Sequence, residues 1–305
     1  MSIDFNKVLI TGVAGFIGSH LADFFLKSNI KVIGVDDLSI GKEKNVPEGV
    51  EFYKFDLSDK NKMSTLPNDC QIILHLAGQS SGEMSFDDPI LDLKKNTQTT
   101  LNLINYGIEN KSQKFVYASS MSIYGETPDK AIKEDFNLSP LSCYGVSKLA
   151  SENYLKVFSN KLPYVSLRMF NVYGFGQDLN NLKQGMVSIF LSQAITDNKI
   201  IVKGNLNRFR DFIYIDDVIK IWYEASKNRM VSNCAINVGT GIKTSVSKLL
   251  NIILLELKNR EIIQKQGTTG DQYGIYADVT KLRKTLYKSQ FTCLETGIKN
   301  FISNI

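Results

Sequence analysis

The chain has 305 residues, a formal net charge of +5, 43% hydrophobic and 22% charged residues. That is the balance of a soluble globular protein with a large core; its basic residues are scattered and no 18-residue apolar run occurs, which argues against a nucleic-acid surface and a membrane span. Two histidines and four dispersed cysteines (Cys70, Cys143, Cys234, Cys293) argue against a protein metal site and for reduced thiols in a cytoplasm.

The first residues lead straight into a strand, so no signal peptide is expected. Lys7-Val8-Leu9-Ile10-Thr11 is a short apolar run, a buried strand by its length and flanks. Gly12-Val13-Ala14-Gly15-Phe16-Ile17-Gly18 follows, then residues at helical spacing to Leu26. Glycines there close a turn, bring backbone N–H groups near a pyrophosphate and let the helix pack on the strand. The spacing is G-x-x-G-x-x-G rather than the commoner G-x-G-x-x-G. A second strand, Lys31 to Val35, ends at Asp36, 18 residues after Gly18. An acid there suits the adenosine ribose hydroxyls and repels a 2′-phosphate, so the expected cofactor is NAD. Asp37 has two readings, a ribose contact or a solvated loop acid.

Further strands are expected near 50–55, 71–76, 113–118 and 163–168, separated by helical patterns near 87–109 and 142–160. Strand–helix alternation implies a parallel sheet with right-handed crossovers. After about residue 170 the alternation loosens, with helices near 184–196, 216–228 and 244–258 and short strands near 200–203 and 235–238. The expected class is α/β: a Rossmann-type doubly wound parallel sheet over 1–170, and a smaller C-terminal lobe for the substrate over 171–305, with some exchange of segments.

Tyr144-Gly145-Val146-Ser147-Lys148 places a phenol and an ammonium four apart on one helix, hence on one face. The spacing predicts that Lys148 favours phenolate and draws the Tyr144 pKa down from its usual value of about 10. Ser120, 24 residues upstream, offers a hydroxyl to relay the proton. Such a set takes a proton from an alcohol while a cofactor takes its hydride. Alone, the pair also fits two ordinary helix residues; the N-terminal unit gives it a partner.

The chain resembles the extended short-chain dehydrogenase/reductase family, in its nucleotide-sugar epimerase/dehydratase branch. The resemblance rests on Thr11 to Gly18, Asp36 to Gly41, His75-Leu76-Ala77-Gly78, Ser119 to Gly125, Tyr144 to Lys148, Arg168 to Gly174 and Arg210 to Asp217. It implies that Gly12, Gly15, Phe16, Ile17 and Gly18 hold the NAD pyrophosphate. Asp36 takes the adenosine ribose, with Asp37, Leu38, Ser39 and Gly41 alongside, and Asp56 and Leu57 flank adenine. Leu76, Ala77, Gly78, Ser119 and Phe170 line the cofactor, while Lys148 reaches the nicotinamide ribose and Tyr144. The nucleotide sugar falls to Ser120, Ser122, Tyr144, Asn171, Gln184, Met186, Val187, Arg210 and Asp271. Several of these have structural alternatives: Asp56 as a helix cap, Asn171 as a turn residue, Arg210 as an ion-pair partner of Asp211. Ile189 and Phe190, beyond Met186, read equally as plain core.

Absences narrow the branch. Dehydratases of the family carry Asp-Glu where Met121-Ser122 stand here, and without that acid/base pair elimination lacks its machinery. Decarboxylating members carry Glu, and the 3,5-epimerase/reductases Cys, at the Ser122 position. What remains is oxidation and re-reduction at one carbon, so the resemblance implies C4 epimerisation of the UDP-glucose/UDP-galactose type. A nucleotide-sugar 4-ketoreductase with exchangeable cofactor, and a non-catalytic NAD-binding sensor, are the alternatives. Thr268 occupies a position where the family commonly has Arg, with Arg208 a possible substitute, and Ile275 stands where residue size gates 2-acetamido groups. Apolar residues on more than one face of 91–108 and 145–158 predict a homodimer, unless the C-terminal lobe covers them, and the resemblance implies a four-helix contact there.

Overall fold

The computed structural model describes residues 2–183, 185–267 and 272–305. In chain order the first half contains β1 (Lys7–Thr11), α1 (Phe16–Lys27), β2 (Lys31–Asp36), β3 (Glu51–Lys54), β4 (Ile72–His75), α2 (Met84–Asp87), α3 (Pro89–Leu93), α4 (Thr99–Glu109), β5 (Lys114–Ser120), α5 (Cys143–Val157) and β6 (Tyr164–Met169). The second half adds β7 (Asn171–Tyr173), α6 (Met186–Thr196), β8 (Lys199–Lys203), β9 (Phe209–Arg210), β10 (Phe212–Tyr214), α7 (Ile215–Lys227), β11 (Cys234–Val238), β12 (Thr244–Ser245), α8 (Val246–Glu256), β13 (Glu261–Lys265), α9 (Thr280–Thr285) and α10 (Leu294–Ile302).

Seven strands form one parallel sheet in the order β11-β6-β5-β4-β1-β2-β3. The fold is the doubly wound α/β sheet that the alternation predicts. In β1, Val8 and Ile10 pack into one apolar cluster with Leu21, Phe25 and Trp222, while Leu9 packs into another with Leu103, Phe115 and Leu155. Both faces are covered, α1 and α7 on one and α4 and α5 on the other, which is why the strands read as unbroken apolar runs. β1 lies between β2 and β4, so the strand order reverses there and opens a crevice at the carboxyl ends.

Two departures from the sequence pattern matter for the site. The single helix expected over 87–109 is interrupted: a π-helical turn at Lys94–Gln98 joins α3 to α4. Hydroxyls bond back into it, Thr99 Oγ1 to the Lys95 carbonyl at 2.7 Å and Thr100 Oγ1 to the Asn96 carbonyl at 2.6 Å, competing with the regular ladder. And the central sheet does not end with the first half. β11 pairs with β6 from Cys234↔Val165 to Val238↔Met169, so the later chain completes it. The rest of that half pairs as β7 with β10, β9 with β12 and β8 with β13. No helix among the described residues is long and apolar enough to cross a membrane.

Candidate active site

The turn after β1 is built for close approach. Gly12 has φ +71° and a Cβ there would lie 2.8 Å from the Ala77 nitrogen; a Cβ on Gly18 would lie 2.0 Å from the Gly12 carbonyl oxygen. α1 is therefore seated against the end of β1. Gly15, its N-cap, offers no side chain, and the N–H groups of Phe16, Ile17 and Gly18 have no acceptor among the described residues. Three aligned donors at the positive end of a helix dipole form a cradle for a phosphate anion.

At the end of β2, Asp36 is buried and its carboxylate accepts from the Ala14 N–H at 3.0 Å and the Leu38 N–H at 2.8 Å. Burial raises its pKa above the usual value, against those two bonds. Asp37 is not a solvated loop acid: it accepts from Ser39 N and Oγ and from Lys95, which also donates to Asp56 at 2.8 Å. Burial works to raise the pKa of both acids, but Lys95 together with the bonds from Ser39 and Ser58 outweighs it and holds them below the ordinary value. Asp56 caps no helix; it accepts from Ser58 N, and Asp59 caps the 3₁₀ turn that follows. Lys95, on the π turn, thus bridges two acids at adjacent strand ends. Leu57 is buried in the apolar layer, Leu76 and Ala77 donate their N–H groups to Thr11 Oγ1, and Gly41 packs on Ala14. Gly78 sits against the Asn96 amide oxygen, which is buried without a hydrogen-bond partner among the described residues, as is the Ser119 hydroxyl.

Tyr144 and Lys148 lie on the first turns of α5, whose N-cap Ser142 accepts from Gly145 N. Both are buried, at 9% and 4% exposure. The Lys148 ammonium lies over the rings of Tyr117 and Tyr144, 5.0 and 5.6 Å from their centroids. The expected lowering of the Tyr144 pKa is corrected here. Burial pushes the phenol up to about 12; the Ser120 hydroxyl opposes this and the Asp92 charge adds to it. Burial also pushes Lys148 down to about 8, against the Asp92 charge, so the lysine cannot dominate its neighbour. Ser120, at the end of β5, shares a hydrogen bond with Ser122 and accepts from Ser122 N at 3.1 Å. His75 is neutral core: fully buried and bonded to Thr11 and Thr100, it has a pKa well below its ordinary value.

Asn171 begins β7 beside Met121, its amide 3.5 Å from the Met121 sulfur. Arg210 is buried and donates to the Gln272 and Phe209 carbonyls at 2.8 Å; burial, with Arg208 nearby, lowers its pKa to about 10. Asp211 is otherwise engaged, accepting from Thr240, Gly241 and Ala277, so it stands as a loop anchor. Two expected contacts, Phe170 and Val187, lie in packed surroundings, as does Phe190. Phe170 is core with Ile123, Tyr124 and Ile275, and Val187 and Phe190 belong to the main apolar cluster because α6 must cover that lobe. Met186 is half-buried at the start of α6, and Ile275 is fully buried. Gln184, Asp271 and Thr268 lie outside the described residues. Among the described residues no group of histidine, cysteine or carboxylate side chains could hold a metal ion.

The model of the NAD dependent epimerase/dehydratase family matches residues 8–239. The chain belongs to that family. It is 34% identical over 301 residues, 97% of each chain, to a putative UDP-glucose 4-epimerase of Methanocaldococcus jannaschii. Among solved structures it is similar to the UDP-glucose 4-epimerase of Thermotoga maritima with UDP-glucose, at TM-score 0.93 and 31% identity over 98% of each chain. It is likewise similar to that of Thermus thermophilus in complex with NAD, at TM-score 0.88 and 31% identity over 98% of each chain. The family's dinucleotide fits the residues present: open N–H groups at α1, an acid at the end of β2, and a buried ammonium free of acid or carbonyl partners among the described residues. Lys95, Gln79, Asp92 and Asn96 contact one another or the residues described above and escaped the sequence reading. Their only signal is Asp92 and Asn96 four apart in a pattern that otherwise looks like plain helix.

Proposed function

We propose that the protein is an NAD-dependent epimerase inverting C4 of a UDP-sugar, of the UDP-glucose/UDP-galactose type, through a transient 4-keto sugar. The observation that carries this is the composition of the site around Tyr144. Ser120 and Lys148 accompany the phenol, while Met121 and Ser122, on the 3₁₀ turn beside it, bring no carboxylic acid to drive elimination.

We assign the cofactor to residues 1–170, with β11 completing their sheet, and the sugar nucleotide to 171–305. Phe16, Ile17 and Gly18 hold the pyrophosphate, Asp36 the adenosine ribose, and Lys148 the nicotinamide ribose. NAD, when bound, would supply the hydride acceptor and donor for C4. Tyr144 takes the C4 hydroxyl proton, directly or through Ser120, and gives it back after the sugar has turned. Lys148 offsets the negative charge that Tyr144 carries as phenolate, before it takes the proton and after it has given it back. Asn171 and Arg210 anchor the diphosphate, so that the ring turns while the nucleotide stays. One proton-transfer group of this kind is worth roughly 10²–10⁴-fold in rate.

Assembly as a homodimer belongs to the same reading. Ile90, Leu91 and Leu93 of α3 and Val146, Tyr154 and Val157 of α5 are all at least 40% exposed, so the C-terminal lobe does not cover them. A second copy would bury this apolar strip. A reducing cytoplasm suits the four unpaired cysteines.

The test is NMR of UDP-glucose incubated with the purified protein and no added cofactor, alongside mass spectrometry for retained NAD. UDP-galactose should form. A product that appears only when reduced cofactor is supplied would make it a ketoreductase, and an unchanged substrate panel would end the epimerase reading.

A further inference from the structure

Asp92 is 1% exposed, on an otherwise exposed stretch of α3, and has no cation in hydrogen-bond contact among the described residues. Three neutral donors hold it: Gln79 Nε2 and Asn96 Nδ2, each at 3.0 Å on one oxygen, and Ser147 Oγ at 2.6 Å on the other. Ser147 immediately precedes Lys148. Its hydroxyl therefore ties the carboxylate to the turn of α5 that carries both catalytic groups. The π turn is what makes this possible, since it turns Asn96 and Thr97 inward beside Asp92.

We propose that Asp92 is a positioning residue for the Tyr144–Lys148 pair, a buried negative charge fixed by Gln79, Asn96 and Ser147 that sets how tightly the pair holds its protons. The inference rests on the catalytic reading of Tyr144 and Lys148. Three donors help a buried carboxylate stay ionised and a nearby positive charge adds to this; Lys148, next to Ser147 in the chain, supplies one. The influence runs both ways: burial raises the Asp92 pKa above its ordinary value, opposed by the Ser147 bond, the Lys148 charge and the two amides, and the Asp92 charge in turn raises the proton affinity of both Lys148 and Tyr144. Other titratable groups facing this region are His75 of β4 and Tyr117 of β5, both held neutral by burial. Asp87 of α2, Asp88 before α3, and Lys94 are exposed, where solvent screens them. Lys95 is committed to Asp37 and Asp56.

Asp92→Asn tests this, because the amide oxygen can keep the Gln79 and Asn96 bonds and its NH2 can donate to Ser147 Oγ, so the contacts survive with one bond reversed while the charge is lost. Two readouts are needed. One is the pH profile of kcat. The other is the ultraviolet phenolate titration, with the Tyr144→Phe protein subtracted to isolate Tyr144. Without the charge both groups release protons more easily, so both limbs of the profile and the Tyr144 titration should move to lower pH by about one unit, the effect of one charge across a buried gap of several ångströms. Asp92→Glu, which restores the charge, should return the limbs toward the parent positions whatever its kcat. A fall in kcat with limbs and phenol unmoved, or a shift upward, would overturn the proposal. If Asp92→Asn abolishes turnover or Asp92→Ser must replace it for folding, the phenol titration alone decides. A Tyr144→Phe protein with full activity would instead refute the catalytic reading and leave the titration of Tyr144 to test Asp92.

Discussion

Replacing Gly18 with alanine should cost the protein most of its cofactor affinity. The new Cβ would sit 2.0 Å from the Gly12 oxygen, 2.8 Å from the Gly12 carbonyl carbon and 3.0 Å from the Val13 Cα, all of them backbone atoms that cannot swing aside. Relief to ordinary contact at about 3.4 Å requires α1 to retreat by about 1.4 Å from the turn (3.4 − 2.0), a shift that close-packed interiors resist. The open N–H groups of Phe16, Ile17 and Gly18 move with it. A hydrogen bond near 2.9 Å does not survive stretching by that much. Each bond to a charged phosphate is worth about 1.5–3 kcal/mol, so losing two weakens NAD binding by about 3–6 kcal/mol, or roughly 10²–10⁴-fold. Overpacking should also cost about 1–3 kcal/mol of stability. Calorimetric titration of nucleotide-stripped protein with NAD measures the first effect and thermal unfolding the second. Gly15→Ala is the comparison, since its Cβ would meet the Gly12 oxygen at 3.2 Å and needs only a small adjustment. If Gly18→Ala bound NAD within about threefold of the parent, less than 1 kcal/mol, the cradle would not be where this geometry puts it.

Tyr144→Phe should retain NAD and lower turnover by about 10²–10⁴-fold in the UDP-glucose assay. In cofactor-free protein the Tyr144 phenol, isolated by difference against that variant, should titrate near 12. Because the folded pKa is raised, its protonated form stabilises the fold below the unfolded value and that contribution fades as pH rises through the folded one; a midpoint at or below the ordinary tyrosine value would refute it. Glu152→Ala strips the two hydrogen bonds, at 3.0 and 2.8 Å, by which a buried Arg168 guanidinium is neutralised, and denaturant unfolding should show a loss of about 3–5 kcal/mol. Val157→Glu with Leu93→Glu, two exposed positions on α5 and α3, should leave the fold intact but give a monomer by light scattering. An unchanged dimer would move the contact elsewhere.

Much of the molecule was legible in one dimension because it rests on short-range rules. The strands β1, β2 and β4 declare themselves as apolar runs, since a parallel sheet covered on both faces leaves little room for polar alternation. The glycine turn, the acid ending β2 and the Tyr144/Lys148 pair are separations of a few residues on single elements, and local geometry carries them into the fold unchanged. Only the tertiary structure could decide matters that depend on burial or on partners distant in sequence. Tyr144 and Lys148 share a helix face as their spacing requires, yet burial, not proximity, governs their proton affinities, and the nearest opposing charge is Asp92, 52 residues before Tyr144. Lys95 joins Asp37 to Asp56 across two strand ends, which no local pattern announces. β11 enters the central sheet from the far half of the chain, and Phe170 and Val187 turn into the core. Dihedral preference and periodicity act within a turn or two of chain, whereas desolvation and charge act through space, so the elements belong to the sequence and the energetics of the site to the fold.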